Sequence, residues 1–126
     1  MAALTREKDI TTLIEAAAIV TRRRSDITFF IVGDGHEYEA LVKQTDMLGV
    51  SGSVIFTGRR NDAAQMIAGF DVFALPSRSE GLGSSVLDAM ASRVPVVATR
   101  TGGIVEMIED GVSGLLFEPG DSAALA

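Results

Sequence analysis

The chain has 126 residues, 47% of them hydrophobic and 22% charged, with a net charge of -6. This is the length of one domain with an ordinary buried core, and its acidic balance excludes nucleic acid and anionic membrane as general partners. With no cysteine, disulfides, zinc-thiolate sites and thiol nucleophiles are excluded too.

Apolar runs such as Phe29–Val32 fall far short of the ~18 residues of a membrane span. The charged stretch Thr5 to Asp9 interrupts any signal-peptide pattern, so a cytoplasmic location is expected. Ile10, Leu13, Ile14, Ala17 and Val20 recur at helical spacing, with Asp9 placed to cap that helix and Arg22-Arg23-Arg24 at its far end. A strand is expected over 28–32, followed by the turn Gly33-Asp34-Gly35. The next helix carries Glu37 and Glu39 in its first turn and Tyr38, Leu41 and Val42 on its inner side, and ends at Gly49.

A strand over 54–57, a short helix over 62–68 and a strand over 71–76 come next. Beyond them lie a helix from about Ser85 to Ser92, a strand over 95–99, a helix opened by Gly102-Gly103 and running through Ile108, and a last strand over 114–117. This alternation predicts a parallel sheet of βα units: an α/β, Rossmann-like, three-layer α/β/α domain. Met1–Leu4 is too short for a central strand, and Asp121–Ala126 starts a helix that stops almost at once. The expectation is one domain over 1–126, cut at both ends. Met47, Met66, Met90 and Met107 are expected to fill core space.

The densest chemistry lies between Ser77 and Ala91, where a polar, glycine-containing loop runs from a strand's carboxyl end into a helix. Open parallel sheets bind ligands at that edge. Gly81 and Gly83 permit close approach of backbone N–H groups, and Glu80 and Asp88 flank the helix start. Arg6, Lys8, Arg59, Arg60, Arg78 and Arg100 follow expected strands, so a parallel sheet would gather them on one rim suited to a small anion. No cluster with metal-ligand spacing is present, and neither a metal nor a cofactor is expected.

Several blocks occur together in one order. They are Lys8-Asp9, Gly33-Asp34-Gly35, Phe56-Thr57-Gly58, Phe70 through Gly83, Asp88-Ala89-Met90-Ala91, Arg93 through Thr99, Gly102 through Glu106, and Gly111 through Leu115. In this register the chain resembles the carboxyl-terminal half of a GT-B glycosyltransferase, of the retaining family four. The resemblance implies a nucleotide-diphosphate-sugar site (a UDP-, GDP- or ADP-sugar) at the strand carboxyl ends. It implies that Glu80 contacts donor-sugar hydroxyls, Asp88 holds the ribose and Lys8 faces the diphosphate, with Glu80 and Lys8 as the catalytic pair. Backbone N–H groups of the Gly81, Leu82, Gly83, Ser84 stretch would bind the phosphates, and Gly33 and Gly35 would keep the cleft floor low. The family's arginine after the first strand falls near Ala2-Ala3, so Arg6, Arg59 or Arg60 would take its place. Asp88 stands for the family's glutamate, and Asp9 and Arg93 each stand where the family has glycine. An amino-terminal domain carrying the acceptor site is implied as a partner. Any peripheral membrane location would come through parts outside this chain.

Other readings stand beside these. Ser85 and Asp88 have the spacing of a capping box, and His36 is read as a turn-capping or solvated residue. Glu106 reads equally as a first-turn carboxylate. A GT-B epimerase fragment would share the donor cleft but needs further acid and base groups. A non-catalytic nucleotide- or protein-binding module would expose its interdomain face and self-associate through it.

Overall fold

A computed structural model describes residues 4–79 and 83–126. A 3-10 turn over Arg6–Lys8 leads into helix α1 (Ile10–Arg23), strand β1 (Phe29–Val32), α2 (Tyr38–Met47) and β2 (Val54–Gly58). The second half runs α3 (Ala63–Ala68), β3 (Phe73–Leu75), α4 (Ser84–Ala91), β4 (Val96–Thr99), α5 (Ile104–Met107), β5 (Leu115–Phe117) and α6 (Ser122–Leu125). The βα alternation expected from periodicity is present, and every strand pairing is parallel.

The strands form two sheets, β1-β2 and β3-β4-β5, rather than one continuous sheet. Hydrophobic periodicity identifies strands but says nothing about which edges meet, and no described strand lies between β1 and β3. Each sheet has its own core. Leu4, Ile14, Ala17 and Ile31 lie in the first cluster, under α1 and α2, and Ile67, Val86, Val96 and Ile104 lie in the second, under α3 and α4. Full burial of a side chain such as Ile14 stabilises the fold by about 2–3 kcal/mol.

Four local expectations are corrected. Asp9 does precede α1, but in left-handed backbone (φ 49°), and its carboxylate makes no cap bond to a helix N–H. It accepts the Thr12 hydroxyl instead, at 2.6 Å. Met47 is 86% exposed and fills no core, because it closes α2 on the solvent side, whereas Met90 and Met107 do pack on the second cluster. The capping box also fails. The N-cap of α4 is Gly83, with no side-chain cap bond, which places Ser85 inside the helix. The double glycine at 102–103 opens only the four-residue α5, since Ile108 turns extended.

Candidate functional site

The carboxyl ends of β1 and β3 are stitched together by the segment that precedes α1. The Leu4 N–H donates to the Asp34 carbonyl at 2.9 Å, and the Leu4 carbonyl accepts from the Glu37 N–H at 3.1 Å. Three residues on, the Glu7 carbonyl accepts from the Arg78 N–H at 2.8 Å. Gly35 is required by this crossing, because a Cβ there would sit 2.6 Å from both Leu4 N and Leu4 O. Gly33 adopts φ 136° and donates its N–H to the Gly58 carbonyl at 3.0 Å, which holds the first glycine turn against the end of β2.

The segment after β3 is fixed from below before it enters the loop. The Thr99 hydroxyl donates to the Ser77 carbonyl at 2.6 Å, and the Thr101 hydroxyl donates to the Arg78 carbonyl at 3.3 Å. The Arg78 guanidinium reaches back to Asp9, with Nε 3.2 Å from Oδ2. Asp9, Thr12 and Arg78 thus lock the 3-10 turn, α1 and the loop together. Sequence reasoning missed this lock. The Asp9 to Thr12 spacing was a visible signal, whereas the reach to Arg78 across 69 positions was not.

Glu80, Gly81 and Leu82 lie outside the described residues. The chain is described again at Gly83, in left-handed backbone (φ 59°, ψ 46°), where it enters the eight-residue α4. Lys8 lines the same cavity as Gly83, Ser84 and Ser85. The geometry therefore brings together a lysine and a helix start that no side chain caps, where amide dipoles favour an anion. Asp88 is exposed on α4, one turn beyond Ser84.

The cationic rim is largely satisfied by the protein's own carboxylates. Arg60 grips Asp62 through two bonds of 2.8 Å, Arg100 bridges Asp110 (2.9 Å) and Glu118 (3.1 Å), and Arg6 stands 3.4 Å from Glu37. The side-chain bond to Arg60 is the main cause holding the Asp62 carboxyl below its ordinary value. Arg59, exposed after β2, has no ion pair among the described residues, whereas its neighbour Arg60 is paired with Asp62. His36 is exposed, with Nε2 4.0 Å from the Glu37 carboxylate. Among the described residues no group of three His, Cys, Asp or Glu side chains could hold a metal ion.

Comparison with known proteins adds to this geometry. The sequence profile of the family Glycosyl transferases group 1 matches residues 1–126. The lipopolysaccharide core biosynthesis glycosyltransferase LpsE of Rhizobium meliloti is 39% identical over 119 residues, which are 94% of this chain and 34% of that protein. The crystal structure of Anabaena HepE in complex with UDP-glucose superposes with a TM-score of 0.93 at 35% identity, covering 100% of this chain and 35% of that one. The isolated carboxyl-terminal domain of the group 1 glycosyl transferase LpcC from Francisella tularensis superposes at 0.88 with 28% identity, covering 100% of this chain and 69% of that one. The chain thus spans about a third of the length of the full-length relatives it matches. It belongs to the Glycosyl transferases group 1 family and has the fold of that family's carboxyl-terminal domain.

Proposed function

We propose that residues 1–126 are the donor-binding domain of a retaining glycosyltransferase, which holds a nucleotide-diphosphate sugar while a separate domain presents the acceptor. The observation that carries this reading is the likeness, at a TM-score of 0.93, to a protein solved with UDP-glucose. That likeness coincides with the placement of Lys8 and the start of α4 on one cavity. LpsE is named for lipopolysaccharide core biosynthesis, which supports a role in polysaccharide or glycolipid biosynthesis.

In the proposed mechanism negative charge builds on the departing diphosphate. The Lys8 ammonium and the Gly83 and Ser84 amides, set at the start of α4 before the sugar leaves, stabilise that charge without reorganising, and the Gly81 and Leu82 amides are assigned the same role. Glu80 orients the sugar through its hydroxyls. Asp88, one turn into α4, takes the ribose hydroxyls, and Arg59 supplements the phosphate cations. Gly33 and Gly35 keep side chains out of the approach.

Amide chemical shifts tested against UDP, GDP and ADP, and then against their sugar conjugates, check this reading. Saturable shifts at Gly33, Lys8 and Ser84 are expected for one base. Lys8→Ala should weaken binding roughly tenfold or more, the worth of a charge-assisted bond. Glu80→Ala should weaken the sugar conjugate and leave the bare diphosphate unchanged. A folded chain that shows no saturable shift with any nucleotide would overturn the proposal.

A further inference from the structure

Lys8 is bracketed by two contacts to a single residue. On one side of it the Glu7 carbonyl accepts the Arg78 N–H at 2.8 Å, and on the other the Asp9 carboxylate pairs with the Arg78 guanidinium, Nε lying 3.2 Å from Oδ2. The turn that presents Lys8 and the segment between β3 and α4 are therefore joined at both flanks of the lysine. We propose that Asp9 is a positioning residue, which fixes Lys8 against the start of α4 through Arg78 and so sets the ammonium for the diphosphate. The inference rests on the donor-site reading above, and in it Asp9 touches no ligand.

Both partners stand outside the cavity they serve. Lys8, Ser77, Gly83 and Ser84 line it, and neither Asp9 nor Arg78 does. Asp9 is 6% exposed, and its Oδ2 also accepts the Thr12 hydroxyl at 2.6 Å, which anchors the carboxylate to the first turn of α1. The Arg78 carbonyl accepts the Thr101 hydroxyl at 3.3 Å. Its guanidinium lies across Gly120, where a Cβ would stand 3.2 Å from Nη2. With its N–H, carbonyl and guanidinium held by different segments, Arg78 is a fixed point from which Asp9 locates the Lys8 turn.

Conformation and charge point the same way. Asp9 holds φ 49°, a left-handed conformation that glycine adopts freely, and it stands where the resemblance to family four places glycine. A carboxylate next to the lysine is also a poor neighbour for a diphosphate, because its field repels the incoming anion. Strained backbone and unfavourable charge persist at one residue only where its surroundings hold it there. The ion pair with Arg78 does both things required: it offsets the carboxylate's field, and its directionality fixes the turn.

The two effects of Asp9 have opposite signs, so one experiment separates them. Through the field alone, removing the carboxylate tightens anion binding; through positioning, removing it weakens binding. Amide titrations with UDP, GDP and ADP are run at one ionic strength on the parent, Asp9→Gly, Lys8→Ala and the double variant, and compared for the nucleotide that saturates the parent most tightly. Asp9→Gly should bind about fivefold more weakly than the parent, the worth of one net hydrogen bond. Once Lys8 is alanine, the same change should cost less than about twofold, since the group being positioned is gone. If Asp9→Gly fails to fold, Asp9→Asn, which tolerates the left-handed backbone and lacks the charge, carries the same comparison of sign. Tighter or unchanged binding without the carboxylate would overturn the proposal. An equal loss with and without Lys8 would overturn it too, because Asp9 would then act on the fold as a whole. A parent that saturates with none of the nucleotides fails the donor-site reading and this inference with it, whereas a parent that binds while the Asp9 variants change with the wrong sign fails this inference alone.

Discussion

Asp9 and Arg93 occupy matching predicaments in the two halves of the molecule, and the protein resolves them differently. Each holds a non-glycine side chain in left-handed backbone, φ 49° at Asp9 and φ 60° at Arg93, and each stands where the resemblance to family four expects glycine. Arg93 closes α4 in a full Schellman arrangement, its own N–H donating to the Met90 carbonyl (3.0 Å) and the Val94 N–H to that of Ala89 (2.9 Å). Its guanidinium is exposed and has no partner among the described residues, so nothing offsets the Cβ strain. Asp9 belongs to a residue type that tolerates this conformation, and its nearly buried carboxylate binds Thr12 and Arg78. Replacing a turn glycine is therefore useful where the new side chain ties elements together, and merely costly where it points at water.

The contrast breaks most visibly at Asp9. Asp9→Ala keeps the strained backbone and removes both contacts, and a loss of about 3 kcal/mol in denaturant unfolding is expected. Asp9→Gly removes the same contacts together with the strain, so its loss should be smaller, about 2 kcal/mol. The difference between these two variants isolates the backbone term; equal losses would mean that Asp9 is not strained. Arg93→Gly should act in the opposite direction, gaining about 1 kcal/mol and raising Tm by roughly 4 °C. A fall in Tm would show that the arginine makes a stabilising contact at that turn.

The sequence carried the order of the elements because glycine and helical periodicity are local signals: Gly49 and Gly111 stand in positive-φ turns, and Gly58 closes β2 at positive φ. It misjudged Asp9 because an aspartate before an apolar helix looks the same whether it caps through its carboxylate or turns left-handed. The rim of arginines was legible as a rim but not as a satisfied one. Arg60 and Asp62 are two residues apart and could have been paired on sight, whereas Arg100 finds Glu118 across a strand and a helix. The break between β1 and β3 was invisible, since strand propensity is a property of a segment and an open edge is a property of its neighbours. In the candidate site, Lys8 and Ser84 were named from motif order, and only folding showed that they share a cavity.

A smaller effect at a third turn sharpens the comparison. At Asp110-Gly111 the glycine is retained (φ 81°), and the neighbouring aspartate ties elements together without bearing the strain itself. Its carboxylate accepts the Leu116 N–H at 3.0 Å and the Arg100 guanidinium at 2.9 Å. The Leu116 bond first, and Arg100 after it, hold the carboxyl below its ordinary value. A carboxyl depressed in the folded state stays ionised there after the unfolded chain has begun to take up protons. Its stabilisation is accordingly complete above the ordinary carboxylate pKa of about 3.9 and is lost as pH falls through the lower folded value. Asp110→Asn keeps an acceptor for the Leu116 N–H and has no proton to gain. It should be slightly less stable than the parent at pH 7 and should approach it as acid is added. A stability difference that stays constant from pH 7 to pH 3 would show that neither the Leu116 bond nor Arg100 depresses this carboxyl in the folded state.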